Sequence, residues 1–279
     1  MIASDEYKRW LFNPRIIMLL AALFPLYDLV VKPLDRAAKE MGQPLNILEP
    51  IIAIMNSWVC VMTITIVFIV LISPFPSLKG NALFSIARMG KVNWIFGEMV
   101  FQFLACVSYV VMIIAFMMIQ YANKAFLANG WSLVVSDYDN TVNDVSEKIV
   151  GTLIPLNIAN QMPPYKAFGM SVLMFLMLLI IICTVLLLGC MYYKRLIFFC
   201  TLIIYIIAGC GMFMINTNIK WLFLMPHINL AQHFTMYFRE YIFSPYASFG
   251  ITVALTMVSV IMIFIRLKKV NIDMISYWW

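Results

Sequence analysis

Polar side chains that could bind a ligand or move a proton are rare in the long apolar stretches of this sequence. Glu49, Asn56 and Ser57 stand where one apolar run begins, and Glu98 and Gln102 stand one helical turn apart at the start of the next. A polar group inside a membrane is costly, so such residues commonly have a function. Two other interpretations stay open: Glu49 is solvated at a membrane surface, and Asn56 hydrogen-bonds a neighbouring helix.

The two histidines, His227 and His233, lie six residues apart in an aromatic segment. That is not the i, i+4 spacing of two metal ligands on one helix face, and no third ligand is evident, so we predict no metal site. A pH-sensitive contact is conceivable, but polar partners at an interface are the interpretation that we favour.

No spacing in the sequence matches a catalytic motif that we looked for. The motifs H-E-x-x-H, G-x-S-x-G and G-x-x-x-x-G-K-[ST] are absent, and no two apolar runs carry paired aspartates. The six cysteines all fall in apolar stretches without a C-x-x-C pair, so we expect neither a disulfide framework nor a zinc site. We expect a chain that is not an enzyme and binds no cofactor of its own.

The elements that must position these residues are membrane helices. Of the 279 residues, 64% are hydrophobic and 11% charged, whereas a soluble domain has about 25% charged residues. Runs of 18 or more apolar residues recur, which excludes a water-soluble domain. We predict a single all-α transmembrane domain over residues 1–279 with six spans, at about 16–31, 50–72, 99–120, 167–192, 196–215 and 248–265.

The charges between these spans predict the orientation. Eleven of the 19 Lys and Arg residues, in short loops close to the span ends, share one side with both termini. Because basic residues near span ends mark the cytoplasmic side, we place both termini in the cytoplasm. The net charge of +6 therefore reflects membrane topology, and we expect no nucleic-acid partner.

Two segments on the other side differ in character. Residues 121–166 form a long polar loop, enough for a small outer subdomain but too short for an enzyme with its own core. Residues 216–247 are aromatic, too broken to span and too apolar for water, so we predict short re-entrant helices there.

A basic, half-apolar stretch separates the second and third spans. Pro74 and Pro76 end the second span, and apolar residues then recur at helical spacing, which predicts an amphipathic helix over about 81–94. This helix either rests on lipid headgroups or docks a soluble partner. Glu98 beyond it either braces it through Arg88 or Lys91 or is a solvated carboxylate.

Three stretches resemble a known family. They are "YKRWLFNPRIIMLLAALFPLYD" (7–28), "PFPSLKGNALFSIARMGKVNWIFGEMVFQF" (74–103) and, more weakly, "LFLMPHINLAQHF" (222–234). The chain resembles a bacterial type-2 ABC transporter permease of the export or immunity kind, with the likeness strongest over 73–103. There a proline-rich exit precedes a pattern matched in order by Phe84, Arg88, Gly90, Trp94 and Gly97.

The resemblance implies a fold and a set of partners. It implies six spans, an interfacial N-terminal helix including Lys8 to Phe12, and a coupling helix at 81–94. It also implies docking on a separate ATP-binding subunit that holds ATP and Mg, pairing with a second permease chain, identical or similar, and residence in the bacterial plasma membrane. The residues implied to couple to the ATPase are Leu83, Phe84, Ile86, Ala87, Arg88, Gly90, Trp94 and Glu98.

The same resemblance implies that Glu49, Asn56, Ser57 and Gln102 belong to the substrate pathway. The expected function is export of an amphiphilic or peptide-like substrate, such as an antimicrobial peptide, a drug or a lipid-like molecule. Three alternatives remain: a non-transporting scaffold or sensor, a membrane enzyme, and an ion-coupled secondary transporter. The last would normally show internal repeats and broken helices, which the sequence does not clearly show.

Overall fold

The computed structural model describes residues 2–76, 88–122, 125–141, 150–214, 217–235 and 240–269. Most of these residues are helical. The α-helices are α1 (Ile2–Leu11), α2 (Ile16–Leu26), α3 (Lys32–Met41), α4 (Glu49–Asn56), α5 (Trp58–Ile72), α6 (Lys91–Tyr121), α7 (Leu133–Thr141), α8 (Val150–Leu153), α9 (Leu156–Ala159), α10 (Pro164–Met191), α11 (Arg195–Gly211), α12 (Leu224–Ile228) and α13 (Pro245–Leu267). Two short strands, β1 (Leu45–Asn46) and β2 (Ala125–Phe126), pair in parallel.

Among the described residues, four continuous helices are long and apolar enough to cross a membrane. They are Ile16–Met41, α6, α10 and α13, and the bent pair α4–α5 raises the number to five. The helix α11 is apolar but has 17 residues, fewer than the roughly 20 that cross a bilayer without help. The prediction of a multi-pass membrane protein therefore fits, whereas six full-length spans are not confirmed.

The first span is longer than the predicted 16–31. A π-helical turn at Tyr27–Val31 joins α2 to α3, so that the helix continues to Met41. This turn follows Pro25, which has no backbone N–H and disturbs the regular hydrogen-bond ladder. Asp28 and Lys32, four residues apart at this turn, form an ion pair with 2.8 Å between Oδ1 and Nζ.

The core forms where α10 lies among α4, α5, α6, α11 and α13. The helix α10 is mostly buried, whereas most of α13 is exposed. Large side chains fill the gap between α5 and α6: the rings of Phe68 and Tyr109 lie 4.9 Å apart, and the Tyr109 hydroxyl donates to the carbonyl oxygen of Ile64 over 2.6 Å. The buried tyrosine thus has a partner and fixes the two helices against each other.

The bundle has two distinct ends. The end that carries the described parts of 125–163 and 217–244 is called the loop end, and the end that carries α1 and Arg195 is called the base. At the loop end, the predicted polar loop 121–166 contains α7, α8 and α9, tied to the start of α4 through the β1–β2 pairing. The predicted re-entrant segment 216–247 contains α12 and two short 3-10 turns, Asn218–Leu222 and Leu230–His233.

The helix predicted over 81–94 is not continuous. Gly90 has φ 83°, a backbone conformation that favours glycine, and α6 starts immediately after it at Lys91. Trp94 therefore belongs to the long helix α6 and not to a separate surface helix, and α6 starts eight residues before the predicted span at 99. Residues 81–87 of the predicted helix lie outside the described residues.

Candidate functional site

The span predicted over 50–72 is broken at Ser57. The helix α4 ends at Asn56, α5 begins at Trp58, and the two are bent by 78°. Ser57 itself is extended, with φ −81° and ψ 120°. A break leaves backbone groups without partners in the helix. Because neither proline nor glycine lies near the break, its cause must be contacts from elsewhere in the fold.

Those contacts come from α10 and from the segment after α12. The Asn56 amide Nδ2 donates to Ser171 Oγ (3.0 Å), and its Oδ1 accepts from the backbone N of Leu230 (2.8 Å). Asn229 Nδ2 donates to the backbone oxygen of Asn56. We call these four residues the Asn56 junction. All four residues are buried. Hydrogen bonds within the protein, and not hydrogen bonds to water, therefore hold the re-entrant segment at the break between α4 and α5.

A second buried polar cluster lies beside the junction. His227 Nδ1 and His233 Nε2 both lie 2.8 Å from the Oγ of Ser248, in the second turn of α13. Trp221 and Phe243 surround the two imidazoles with aromatic rings. Burial lowers the pKa of both histidines, to about 4 for His233. Within the described ranges, no three side chains of the metal-ligating types come together.

Glu49 is fully buried and is not solvated at a membrane surface, so that alternative is wrong. Its Oε1 accepts from the backbone N of Ser132 (2.7 Å), and its Oε2 accepts from Ser132 Oγ (2.9 Å) and the backbone N of Asn46 (3.0 Å). Asn46 continues the network through Nδ2, which donates to the carbonyl oxygens of Ala128 and Gly130. Glu49 therefore fastens the loop that precedes α7 onto the start of α4.

An apolar cavity of about 140 Å³ lies between α6, α10 and α13. Gln102, Cys106 and Cys183 line it, together with Thr184 and Thr256. Gln102 is 4% exposed, and its Oε1 has no hydrogen-bond partner among the described residues. Gln102 is thus the predicted pathway residue that faces a cavity, whereas Glu49 and Asn56 are engaged in contacts within the chain.

At the base, α1 packs along α6 and buries two tryptophans and two carboxyls. Trp94 Nε1 donates to Glu98 Oε1 (3.2 Å), and Glu98 is 1% exposed, so the alternative of a solvated carboxylate is wrong. Glu6 and Trp10 of α1 are buried as well. Burial raises the pKa of Glu6 to about 7, against the opposing effect of Arg9. The N-terminal helix is therefore part of the packed structure.

Of the eight residues predicted to couple to an ATPase, four belong to the part of the chain that the structure describes and four do not. Leu83, Phe84, Ile86 and Ala87 lie outside the described residues. Arg88 is exposed, Gly90 marks the start of α6, and Trp94 and Glu98 are buried against each other as described above. Among the described members of this group, Arg88 is thus the one whose side chain is available to a partner.

The cavity offers a direct check of how α6 faces α10. The Sγ atoms of Cys106 and Cys183 lie 3.6 Å apart, and a disulfide needs about 2.05 Å. In a variant that retains these two cysteines alone, with the other four replaced by alanine, we expect iodine oxidation to form an intramolecular disulfide. Mass spectrometry of the peptides would detect it, and the same variant with Cys106→Ala is the control. Two thiols that both remain alkylatable after oxidation would contradict this arrangement.

The sequence did not single out several residues on which these sites depend. Ser132, Ser171, Asn229 and Ser248 are small polar residues without distinctive spacing, and each meets its partner from a distant part of the chain. A weak signal was present for Asn229, an amide between two histidines in a segment too apolar for a free loop.

Comparisons with family models, with curated proteins and with solved structures found no match to this chain.

Proposed function

We propose that this chain is the membrane subunit of an ATP-driven exporter, a permease that moves an amphiphilic or peptide-like substrate while a separate subunit hydrolyses ATP. The observation that carries the proposal is the cavity between α6, α10 and α13. Its walls are mainly apolar, with Gln102, Thr184 and Thr256 among the residues that line it, and such a cavity suits a ligand with an apolar body.

Three further features support this function. The sequence lacks a phosphate-binding loop, so ATP would have to be bound by a partner. The basic segment 77–91 separates two apolar helices and includes the exposed Arg88, which suits it to dock such a partner. Most of α13 is exposed, and a second permease chain or lipid would cover it.

The test is purification of the intact chain from its native membranes. We expect an ATP-binding subunit to copurify with the native chain and to be lost from the variant that combines Ile86→Asp with Arg88→Glu. The control is Lys268→Glu, which reverses an exposed basic residue elsewhere in the chain. If the native chain brings down no ATPase and the double variant behaves like it, the exporter proposal fails and a scaffold or sensor function takes its place.

A second candidate is an ion-coupled secondary transporter. The break between α4 and α5, with a re-entrant segment seated in it, favours this function, because such carriers bind substrate at discontinuous helices. The purified chain alone in liposomes separates the two candidates. Substrate movement driven by an ion gradient in the absence of ATPase would favour the secondary transporter.

A further inference from the structure

Two imidazoles share one hydroxyl group at the loop end of the bundle. His227 Nδ1 and His233 Nε2 each lie 2.8 Å from Ser248 Oγ, and Ser248 is fully buried. These are the two histidines of the whole chain. We call His227, Ser248 and His233 the His–Ser–His triad.

Backbone carbonyls fix the tautomer of each ring. His227 Nε2 lies 2.8 Å from the carbonyl oxygen of Trp221, and His233 Nδ1 lies 2.9 Å from the carbonyl oxygen of Asn229. A carbonyl oxygen only accepts hydrogen bonds, so both of these ring nitrogens carry a proton. In a neutral ring the other nitrogen is then an acceptor. Two neutral rings would therefore both present a lone pair to Ser248.

The hydroxyl of Ser248 has one proton and can donate to one ring. With both rings neutral, the remaining N···O contact at 2.8 Å joins two acceptors, which leaves buried polar atoms without a hydrogen bond. One additional proton removes this conflict: one ring becomes an imidazolium that donates to Ser248 Oγ, and Ser248 donates to the neutral ring. Every polar atom of the triad then has a partner.

A second additional proton would again leave one polar group of the triad without a hydrogen-bond partner. Two imidazolium rings would both donate to Ser248, whose own proton would lose its acceptor within the triad. The two positive charges would also face each other across a single oxygen atom in a buried site, where like charges repel strongly. Every polar atom of the triad therefore has a hydrogen-bond partner when one additional proton is bound. With no additional proton, or with two, at least one polar atom lacks a partner.

We propose that the His–Ser–His triad is a binding site for a single proton, held as one imidazolium at a time. The site joins the re-entrant segment, through His227 and His233, to the last helix α13, through Ser248. Its occupancy by a proton therefore changes the hydrogen bonds between the segment and the helix. This inference does not depend on whether ATP or an ion gradient drives transport.

The surroundings suit one positive charge but not two. The Trp221 ring lies 5.2 Å from His227 and 5.3 Å from His233, and the Phe243 ring lies 5.5 Å from His227. An aromatic ring stabilises a cation that lies over its face, and these rings are inclined to the imidazoles by 51° to 69°. Burial, the charge of the other histidine and the charge of Lys220 all lower the pKa of His233, which opposes a second proton.

Besides the two histidines, the charged group that lowers the pKa of His233 is Lys220. Lys220, in the turn before α12, is buried and its Nζ donates to Gln232 Oε1 over 2.8 Å. Glu240, before Phe243, and Lys166, near the start of α10, are exposed. Among the described residues that surround the triad, no carboxylate is therefore buried with it to balance two cations.

Nuclear magnetic resonance of the imidazole nitrogens tests the proposal on the intact chain. Because the chain has two histidines, ¹⁵N-histidine labelling of the protein in lipid nanodiscs reports on the triad alone. Between about pH 2.5 and 9 we expect two protonation steps separated by more than about two pH units, since strongly coupled groups titrate as a pair. Between the steps, the spectra should show one imidazolium per chain.

Substitutions at Ser248 connect this titration to the shared hydroxyl. We expect Ser248→Ala to lower the higher step by about one pH unit or more, since a hydrogen bond to a charged group is lost. Ser248→Thr retains the hydroxyl and should restore the separation, which distinguishes the effect from general misfolding. The matched control is Ser259→Ala, because Ser259 lies on the same helix and bonds to its own Leu255 carbonyl.

Two results would overturn the proposal. In one, both rings titrate at the same pH, and Ser248→Ala leaves the titration unchanged. In the other, the folded chain has no imidazolium between pH 5 and 8. Either result would mean that the two histidines do not share one proton through Ser248.

Stability against pH gives a second readout with a defined sign. In the unfolded chain both histidines titrate near pH 6.5, whereas burial lowers the pKa of folded His233 to about 4. Below pH 6.5 the unfolded state therefore binds a proton that the folded state refuses, so this contribution to stability is present above pH 6.5 and is lost as the pH falls towards 4. The melting temperature of His233→Asn should depend less on pH over this interval than that of the native chain.

Discussion

Replacement of Glu49 by alanine is expected to lower the free energy of unfolding by about 3 kcal/mol. The carboxyl accepts three hydrogen bonds, from the backbone N of Asn46 and from the backbone N and hydroxyl of Ser132. Each buried donor left without an acceptor costs about 1–3 kcal/mol, less where water enters the space that the side chain leaves. Because these donors tie two separate segments to α4, their loss also frees the loop that precedes α7.

The measurement is thermal and denaturant unfolding of the purified chain in detergent, combined with limited proteolysis. In Glu49→Ala, new cleavage is expected within residues 125–141, whereas cleavage elsewhere should change little. Glu240→Ala is the matched control, since Glu240 is exposed, and exposed substitutions commonly change stability by less than about 0.5 kcal/mol. Equal stabilities of the two variants would contradict the proposed role of Glu49 as an anchor.

The variant Glu49→Gln tests whether the number of hydrogen-bond acceptors or the negative charge of the side chain holds the loop. Glutamine retains one oxygen acceptor at nearly the same volume, so a smaller loss of about 1–2 kcal/mol is expected. The amide must then place its NH₂ group beside donors from Ser132 or Asn46, which is the source of the remaining cost. A variant as unstable as Glu49→Ala would mean that the carboxylate charge, and not the number of acceptors, holds the loop.

The apolar runs predicted most of the helices, because length and hydropathy alone decide whether a segment suits a bilayer. The interior of α10 matches the predicted 167–192 closely, since its sequence has no interruption from Pro164 to Met191. The break at Ser57 could not be predicted in this way. Apart from Asn56 and Ser57, the residues around it are as apolar as the rest of the run, and the hydrogen bonds that hold the bend come from Ser171 and Leu230, far along the chain.

In each hydrogen bond of Glu49 and Asn56, the sequence pointed to one of the two partners but not to the other. Glu49, Asn56 and Gln102 attract attention because each is polar beside an apolar run, and all three are buried. The partners of Glu49 and Asn56 are serines, an asparagine and backbone groups, which the sequence contains in many places. The interpretation of Asn56 as a residue that hydrogen-bonds a neighbouring helix is confirmed by its contact with α10. Its second contact, with the re-entrant segment, required the fold.

The Asn56 junction and the His–Ser–His triad hold the same segment from two sides. Asn229 contributes to both, because its side chain donates to the Asn56 carbonyl and its own carbonyl accepts from His233. A change in the proton occupancy of the triad therefore acts on a segment that is also seated in the break of a span. Residues 224–233 therefore contact both the break between α4 and α5 and the protonation site.

Replacement of Asn56 by leucine should have the second large effect, a loss of about 2–3 kcal/mol in the free energy of unfolding. The change removes the acceptor of the Leu230 backbone N and the donor to Ser171 Oγ, and both groups are buried. Leucine has the same number and branching of side-chain heavy atoms as asparagine and leaves no cavity, so unpaired polar groups account for the loss. Thr63→Val is the matched control, because the Thr63 hydroxyl bonds to the Val59 carbonyl within α5.

A double-mutant cycle with Asn229→Ala tests whether the two asparagines act as one unit. Once Asn56→Leu has loosened the segment, removal of the Asn229 side chain should cost less than it does in the native chain. We expect the combined loss to fall short of the sum of the single losses by about 1 kcal/mol or more, within the range of side chains in one network. Losses that add to within about 0.3 kcal/mol would mean that the two residues stabilise the fold independently. The re-entrant segment would then not be held in the broken span by a cooperative junction.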